Sequence, residues 1–98
     1  MFHHVVTFKW NAPLTAEQLD HVKKSLASLP TQISCIRSYV FGVDLQLSAG
    51  TNSDFAIVAT FDSAQDWAIY DQHPVHDQVR IEVLKPLIAE RSAVQFIG

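Results

Sequence analysis

The chain has 98 residues, a length that allows one domain over residues 1–98. Hydrophobic residues make up 48% and charged residues 17%, an apolar-rich composition for a small domain, which suggests that a second subunit covers one surface. The net charge of -3 and the lack of a basic stripe argue against binding to nucleic acid. The sequence has no recognisable signal peptide and no stretch of about 20 apolar residues, so we expect no membrane binding and a cytoplasmic location.

The first part of the chain predicts a strand followed by a helix. Phe2 to Trp10 is rich in β-branched and aromatic residues, which is typical of a strand. Thr15 and Gln18 have the spacing of a capping box at a helix start, and Pro30 is predicted to end this helix. The residues that recur at helical spacing on its apolar face are Leu19, Val22, Leu26 and Leu29.

The second part predicts three further strands and one interrupted helix. A strand is predicted from Ile33 to about Asp44, with a bulge at Gly42, and another from Phe55 to Phe61. A helix begins at Ser63 and is then interrupted. Helical spacing resumes with Val79, Val83, Leu84 and Leu87, and residues 92–97 form the last strand.

The resulting order, β-α-β-β-α-β, predicts an α+β fold in which helices cover one face of a single sheet. Both faces of the predicted third strand are apolar, because Phe55 and Ile57 point one way while Ala56 and Val58 point the other. Helices can cover only one of these faces. We therefore predict a homodimer in which a second sheet covers the other.

The segment from Tyr70 to His76 carries the most informative polar residues. Pro74 disfavours helical geometry at the residue before it, so His73 is predicted as the N-cap of a new helix and His76 as its third residue. The positive end of the helix dipole disfavours a protonated histidine, and a neutral imidazole is what a general base requires. Tyr70 could supply a phenol to the same cleft, and His4 shares a strand face with apolar residues.

A purely structural interpretation of these residues is also open. His73 could be only a helix cap, and Tyr70 could be a core-edge residue with its hydroxyl in water. A metal site is not predicted, because His73 and His76 lack a third ligand at conventional spacing. Cys35 has no cysteine partner and is predicted to be a small apolar residue within the second strand.

Three motifs in order resemble those of one family. Phe2 to Trp10 is similar to an "H-x-V-x-F-K" start, and Ala56 to Phe61 resembles the family's third strand. Tyr70, His73, Pro74 and His76 match the pattern Y-x-x-H-P-x-H. From about residue 2 to residue 97, the chain resembles the stress-responsive A/B barrel (Dabb) domain of the dimeric α+β barrel superfamily.

The resemblance implies a ferredoxin-like protomer with a four-stranded antiparallel sheet, and a dimer that packs two sheets face to face into a barrel. The family includes plant polyketide cyclases of the olivetolic acid type, which use the tyrosine and the second histidine of the motif and no cofactor. These roles would fall to Tyr70 and His76, and the first-strand pocket histidine would be His4. Ala56 and Leu26 would replace a histidine and a tyrosine of the cyclases, which implies a more apolar pocket.

The sequence thus predicts a site and leaves its function open. His76 and Tyr70 are the predicted catalytic residues, and the predicted substrate contacts are His4, His73, Trp67, Leu26 and Val22. One hypothesis is a cofactor-free acid–base lyase, cyclase or isomerase acting on a ketone or polyketide-like molecule. The alternatives are a non-catalytic dimer that is stress-responsive or binds a small apolar or aromatic molecule, and a monooxygenase-like member of the same superfamily.

Overall fold

The computed structural model describes residues 1–48 and 50–98, which form one antiparallel sheet and several helices. The strands are β1 (Phe2–Trp10), β2 (Ser38–Val43), β3 (Phe55–Phe61) and β4 (Ile88–Ile97), and their order in the sheet is β2-β3-β1-β4. The helices are α1 (Ala16–Ala27), α2 (Leu29–Gln32), α3 (Ala64–Asp71) and α4 (Pro74–Gln78). A π-helical segment (Val79–Leu84) and a 3-10 turn (Lys85–Leu87) follow α4. This is the predicted ferredoxin-like α+β fold.

The start of α1 is the predicted capping box. The backbone N–H of Gln18 donates to Thr15 Oγ1 at 3.1 Å, and the backbone N–H of Thr15 donates to Gln18 Oε1 at 2.9 Å. These bonds satisfy donors that the first helical turn leaves unpaired and are worth about 1 kcal/mol. The predicted end of the helix is wrong, because α1 ends at Ala27 and Pro30 lies in the first turn of α2, where a proline is tolerated.

The second strand begins later than predicted. Ile33 is buried and caps α2, so β2 starts only at Ser38. Cys35 therefore lies in the connection between α2 and β2 and not in a strand, which corrects the prediction. Its thiol donates to the backbone carbonyl of Asp66 at 3.3 Å, and burial raises the pKa of the Cys35 thiol.

The bulge predicted at Gly42 is not present, and the sheet is irregular at another position. Gly42 pairs with Ala56 in an unbroken register, whereas the register between β1 and β4 shifts between Lys9 and Trp10. Beyond this shift Trp10 pairs with Ile88, so β4 starts earlier than the predicted residue 92. Because β4 is an edge strand, it tolerates charged residues, and these residues made its first part difficult to recognise as a strand from the sequence.

The two faces of the sheet have different surroundings. The inner face packs against the helices and supplies most of the core, through Phe2, Val6, Phe8, Phe55, Ile57, Ala59 and Phe61. Val22, Leu26 and Leu29 cover it from the helical side. The opposite, open face carries a row of four valines in register, Val40, Val58, Val5 and Val94. Val40 is 60% exposed and Val94 is 54% exposed in the protomer.

None of the helices in the described part of the chain is long and apolar enough to cross a membrane.

Candidate active site

The break between α3 and α4 determines where the motif residues lie. His73 has an extended backbone (φ -68, ψ 134), and its Nδ1 accepts a hydrogen bond from the backbone N–H of Val75 at 3.1 Å. Pro74 is the first residue of α4, so His76 is its third residue. The predicted interruption at His73 and Pro74 is confirmed. The extended backbone of His73 separates α4 from α3, and His76 contacts Asp71 and Tyr70 at the end of α3.

The apolar spacing after α4 predicted an ordinary α-helix, and this prediction is wrong. Residues Val79–Leu84 adopt π-helical geometry with hydrogen bonds from residue i to i+5. Val79 and Leu84, five residues apart, are the buried residues of this segment. Such widened turns occur frequently at functional sites, and this one contributes Arg80 and Leu84 to a cavity.

A cavity of about 680 Å³ lies between the inner face of the sheet and the helices. This volume is in the range of small-molecule sites. Its apolar wall includes Val6, Phe8, Leu26, Ile57, Leu84 and Ile88. The polar groups that line it are His4, Tyr39, Tyr70, Gln72 and His76, and the charged ones are Asp71, Asp77, Arg80, Lys85 and Arg91. A cleft in which polar groups converge beside an apolar wall is a common form of a binding site, and this cavity is unusually rich in polar and charged residues for one.

His76 is held against Tyr70 with a defined tautomer. The two rings are 4.3 Å apart between centroids, and His76 Nδ1 lies 3.1 Å from the backbone carbonyl of Asp71. A carbonyl can only accept, so Nδ1 donates, and the lone pair of the neutral ring is on Nε2. Burial lowers the pKa of His76, and the carbonyl and carboxylate of Asp71 oppose this shift only in part. His76 is therefore suited to act as a base.

The hydroxyl of Tyr70 belongs to a pair of tyrosines. Tyr70 and Tyr39 are joined by a hydrogen bond of 2.9 Å between their hydroxyl oxygens. Burial is the main cause that raises the pKa of Tyr70 to about 12, and the hydrogen bond to Tyr39 acts in the opposite direction. The pKa of Tyr39 is raised more strongly, mainly by burial. Either hydroxyl can be the donor in this bond, and when Tyr39 donates, the Tyr70 proton is free for another acceptor. Sequence reasoning missed Tyr39, although the alternation of Tyr39 and Phe41 in β2 indicates a shared inner face.

His4 has the opposite proton arrangement. It is 4% exposed, and the side-chain amide of Gln95 donates to its Nδ1 at 2.8 Å. The proton of the neutral ring is therefore on Nε2. Burial, assisted by the nearby charge of Arg91, lowers the pKa of His4 to about 4. Gln95 was not identified from the sequence, because its role depends on the pairing of β1 with β4.

The structure brings four of the predicted site residues to the cavity, namely His4, Leu26, Tyr70 and His76. The other three lie outside its wall. His73 caps α4, and Val22 is fully buried in the core. Trp67 packs behind the site, with ring centroids 6.0 Å from Phe2 and 5.7 Å from His4.

Ala56 was expected to occupy the position of a pocket histidine of the cyclases, and the structure does not place it in the cavity. Ala56 pairs with Thr7 and Gly42 on the open face, so its side chain cannot reach the cavity. Phe55 and Ile57 are the neighbouring residues that point inward, and both are buried. The expectation of an apolar wall still applies at Leu26. Among the residues that the structure describes, no three His, Cys, Asp or Glu side chains are grouped as metal ligands.

Comparisons with known proteins agree with this architecture. A family model described as the Stress responsive A/B Barrel Domain matches residues 2–97. A dimeric ferredoxin-like protein of unknown function from Thermobifida fusca is 38% identical, with a TM-score of 0.87 over 99% of this chain and 90% of that chain. A dimeric ferredoxin-like protein from Bacteroides fragilis is 25% identical, with a TM-score of 0.83 over 99% and 95%.

An enzyme is also among the structures with this fold. The hydroxynitrile lyase from Passiflora edulis is 18% identical, with a TM-score of 0.86 over 99% of this chain and 92% of that chain. At this identity the likeness concerns the fold alone. No curated protein matches the chain.

Proposed function

Because the chain belongs to the stress-responsive A/B barrel domain family, we propose that it forms a homodimer whose protomers each use a cavity for cofactor-free acid–base chemistry on a small carbonyl compound. The reaction class is that of a lyase, cyclase or isomerase that proceeds through an enolate. The predicted catalytic residues are His76 and Tyr70, and His4 is added as a donor to the substrate.

One observation supports this proposal, namely that a proton acceptor and two potential proton donors line the same cavity. His76 offers a lone pair on Nε2, because Nδ1 is bonded to the Asp71 carbonyl. His4 offers a proton on Nε2, because Nδ1 accepts from Gln95. Tyr70 offers its hydroxyl proton in the arrangement in which Tyr39 donates to its oxygen, one of the two directions that this bond allows. A base and two hydrogen-bond donors are the groups that removal of a proton next to a carbonyl requires.

The reaction follows from these groups. His76 Nε2 takes a proton from the carbon beside the carbonyl, the C–H electron pair forms a carbon–carbon double bond, and the carbonyl π electrons move to oxygen. Tyr70 and His4 donate to the resulting enolate oxygen. Each such donor is worth about 3 kcal/mol in a site from which water is excluded. The enolate then regains the proton at another carbon, attacks a second carbonyl, or expels a leaving group.

The low pKa of His4 is useful in this scheme. A histidine that stays neutral near pH 7 keeps one N–H donor and cannot lose its orientation by protonation of Nδ1. Its contact with Gln95 fixes which nitrogen carries the proton. His4 therefore acts as an electrophile toward the carbonyl oxygen, and His76 remains the base.

The homodimer is supported by the open face of the sheet. The row formed by Val5, Val40, Val58 and Val94 is apolar across all strands, and helices cover only the other face. Two such sheets can pack at a distance of about 10 Å with their side chains interdigitated. The relatives from Thermobifida fusca and Bacteroides fragilis are described as dimeric.

The Passiflora edulis enzyme adds support for a reaction rather than binding alone, since this fold accommodates a lyase. A dimer that only binds a small molecule is the alternative that the following experiment separates from an enzyme.

The experiment is hydrogen–deuterium exchange at carbon. Acetophenone, para-acetylbenzoate, levulinate and levulinamide are incubated with the protein in D₂O, and loss of the proton signal beside the carbonyl is followed by NMR. We expect the protein to accelerate exchange of at least one compound and the His76→Ala variant to lose this acceleration. Binding without exchange, or equal exchange by the variant, would reject the proposed chemistry.

A further inference from the structure

Three cationic side chains line the cavity, and two of them lack an acidic partner. Arg80 forms an ion pair with Asp77 at 3.1 Å. Lys85 and Arg91 form no ion pair with the residues that the structure describes. The one remaining acid on the wall is Asp71, so the cavity carries more positive than negative charge.

The position of Arg91 connects this charge to the reactive groups. Arg91 lies on β4 directly opposite Phe8, on the inner face of the sheet, and its side chain lines the same cavity as His4 and Tyr70. Its charge contributes to lowering the pKa of both His4 and Tyr70, whose largest pKa shifts come from burial. Asp71 raises the pKa of these two residues and lies beside His76 on the α3 side.

Lys85 and Arg91 are exposed residues that line this cavity. Water solvates their charges, so neither needs a partner within the protein, but a cleft with an excess of positive charge attracts anionic ligands. A guanidinium presents two parallel N–H donors that match a carboxylate, and a lysine ammonium adds a point charge. A carboxylate is therefore the group on a ligand that Arg91 and Lys85 are suited to bind.

We propose that the substrate is a carbonyl compound that also carries a carboxylate, which Arg91 and Lys85 bind while the carbonyl lies at His4, Tyr70 and His76. This inference rests on the proposed function and names its substrate class. Along β1 the rows of Phe8 and His4 are about 14 Å apart at about 3.4 Å per residue. The side chain of Arg91 extends over part of this distance. The carboxylate and the carbonyl are therefore separated by several bonds, so that both ends can be bound at once.

The test compares matched ligands by isothermal titration calorimetry. The probes are para-acetylbenzoate, its neutral isostere para-acetylbenzamide, and inorganic phosphate. We expect the carboxylate to bind at least about tenfold more tightly than the amide, since a hydrogen bond to a charged group is worth about 1.5 to 3 kcal/mol. Phosphate, which lacks the apolar ring, is expected to bind more weakly than the carboxylate.

Variants assign the effect to the two cations. Arg91→Gln and Lys85→Gln should each weaken para-acetylbenzoate binding about tenfold and leave para-acetylbenzamide binding unchanged. Arg91→Lys keeps the charge and should retain part of the affinity. Lys24→Gln is the control, because Lys24 lies on α1, is exposed and does not line the cavity. Circular dichroism and thermal melts establish that the variants are folded.

The outcomes separate this inference from the proposed function. Equal binding of carboxylate and amide, tighter binding of phosphate, or no binding of any probe would overturn the carboxylate site. If acetophenone exchange depends on His76 while the carboxylate gives no advantage, the chemistry stands and the inference fails. If carboxylate binding depends on Arg91 and Lys85 while no compound exchanges its protons, the carboxylate site stands and the proposed reaction fails.

Discussion

The rings of His76 and Tyr70 lie 4.3 Å apart although the residues are on different helices. In one continuous α-helix, residues six positions apart would be rotated by about 120° from each other and would not meet. The break at His73 and Pro74 removes this restriction, because His73 has an extended backbone and α4 is a separate helix. The proline motif therefore acts through geometry, by assembling a contact that a regular helix cannot make.

Replacement of His76 by alanine tests the base. We expect His76→Ala to lower the rate of carbon exchange by at least about 100-fold, the usual contribution of a general base. The free energy of unfolding should change by less than about 1 kcal/mol, because His76 is only half-buried and its one hydrogen bond is to a backbone carbonyl. NMR exchange and urea unfolding measure the two effects.

The control for this variant is His21→Ala on the exposed face of α1, which should alter neither quantity. If His76→Ala strongly destabilises the protein and exchange per folded molecule is unchanged, His76 is a structural residue.

The features that the sequence predicted correctly rest on local chemistry. Thr15 and Gln18 satisfy each other's backbone donors within one helical turn, so their spacing alone identifies the cap. His73 is restricted by Pro74, its direct neighbour in the chain. The strict alternation in β1 and β3 separates the inner face from the open face without reference to other elements.

The features that the sequence did not predict depend on contacts between distant residues. Tyr39 reaches Tyr70 only because β2 pairs with β3, and Gln95 reaches His4 only because β4 pairs with β1. The π-helical segment has apolar spacing that also fits an α-helix, and packing of Leu84 against the core decides between them. Trp67 was predicted as a substrate contact because it shares a helix face with Tyr70, but it packs against Phe2 and His4 and does not line the cavity.

The pH dependence of the exchange rate follows from the lowered pKa of His76. A base works only when it is deprotonated, so the rate should rise with pH and reach its plateau below the pH expected for a free histidine. We expect half of the maximal rate at a pH below 6.5, the ordinary value. Exchange measured between pH 4.5 and pH 8 on a folded sample checks this, and a midpoint above 6.5 would contradict the buried, uncharged base.

The two tyrosines should respond differently to loss of their hydroxyls. Tyr70→Phe removes the donor to the enolate and should lower the exchange rate about 100-fold. Tyr39→Phe leaves that donor in place and removes only the contact that lowers the pKa of Tyr70, so a smaller decrease in rate is expected. Both variants lose one buried hydrogen bond and should be destabilised by about 1 kcal/mol. Equal rates for the two variants would contradict the proposal that Tyr39 donates to Tyr70 while Tyr70 donates to the enolate.

A lysine on the open face of the sheet tests the dimer. Val94→Lys places a charge in the row of valines on edge strand β4, where the side chain is 54% exposed in the protomer. We expect sedimentation at micromolar concentration to give a monomer of about 11.0 kDa for this variant and a dimer for the unmodified chain. Ile69→Lys is the matched control, because Ile69 on α3 is 55% exposed and should leave the dimer intact. A monomeric unmodified chain would reject the dimer.

The pKa of His4 predicts how stability changes with acid. In the folded chain burial lowers this pKa to about 4, whereas the unfolded chain has the ordinary value of 6.5. Between these two values the unfolded state binds a proton that the folded state does not bind, so the free energy of unfolding decreases as the pH falls from about 6.5 to about 4. Above pH 6.5 this contribution of His4 to stability is complete and constant.

The His4→Gln variant isolates this contribution. Glutamine has no titrating group, and its amide can still bond to Gln95, so the variant should lack the part of the pH dependence that His4 supplies. We expect the stability difference between pH 7.5 and pH 4.5 to be smaller in His4→Gln by about 2 to 3 kcal/mol. Asp71, His76 and Arg91 act on His4 electrostatically, but they are present in both proteins and their own titration largely cancels in the comparison. Urea unfolding at the two pH values measures the difference. If both proteins lose the same stability in acid, folding does not lower the pKa of His4.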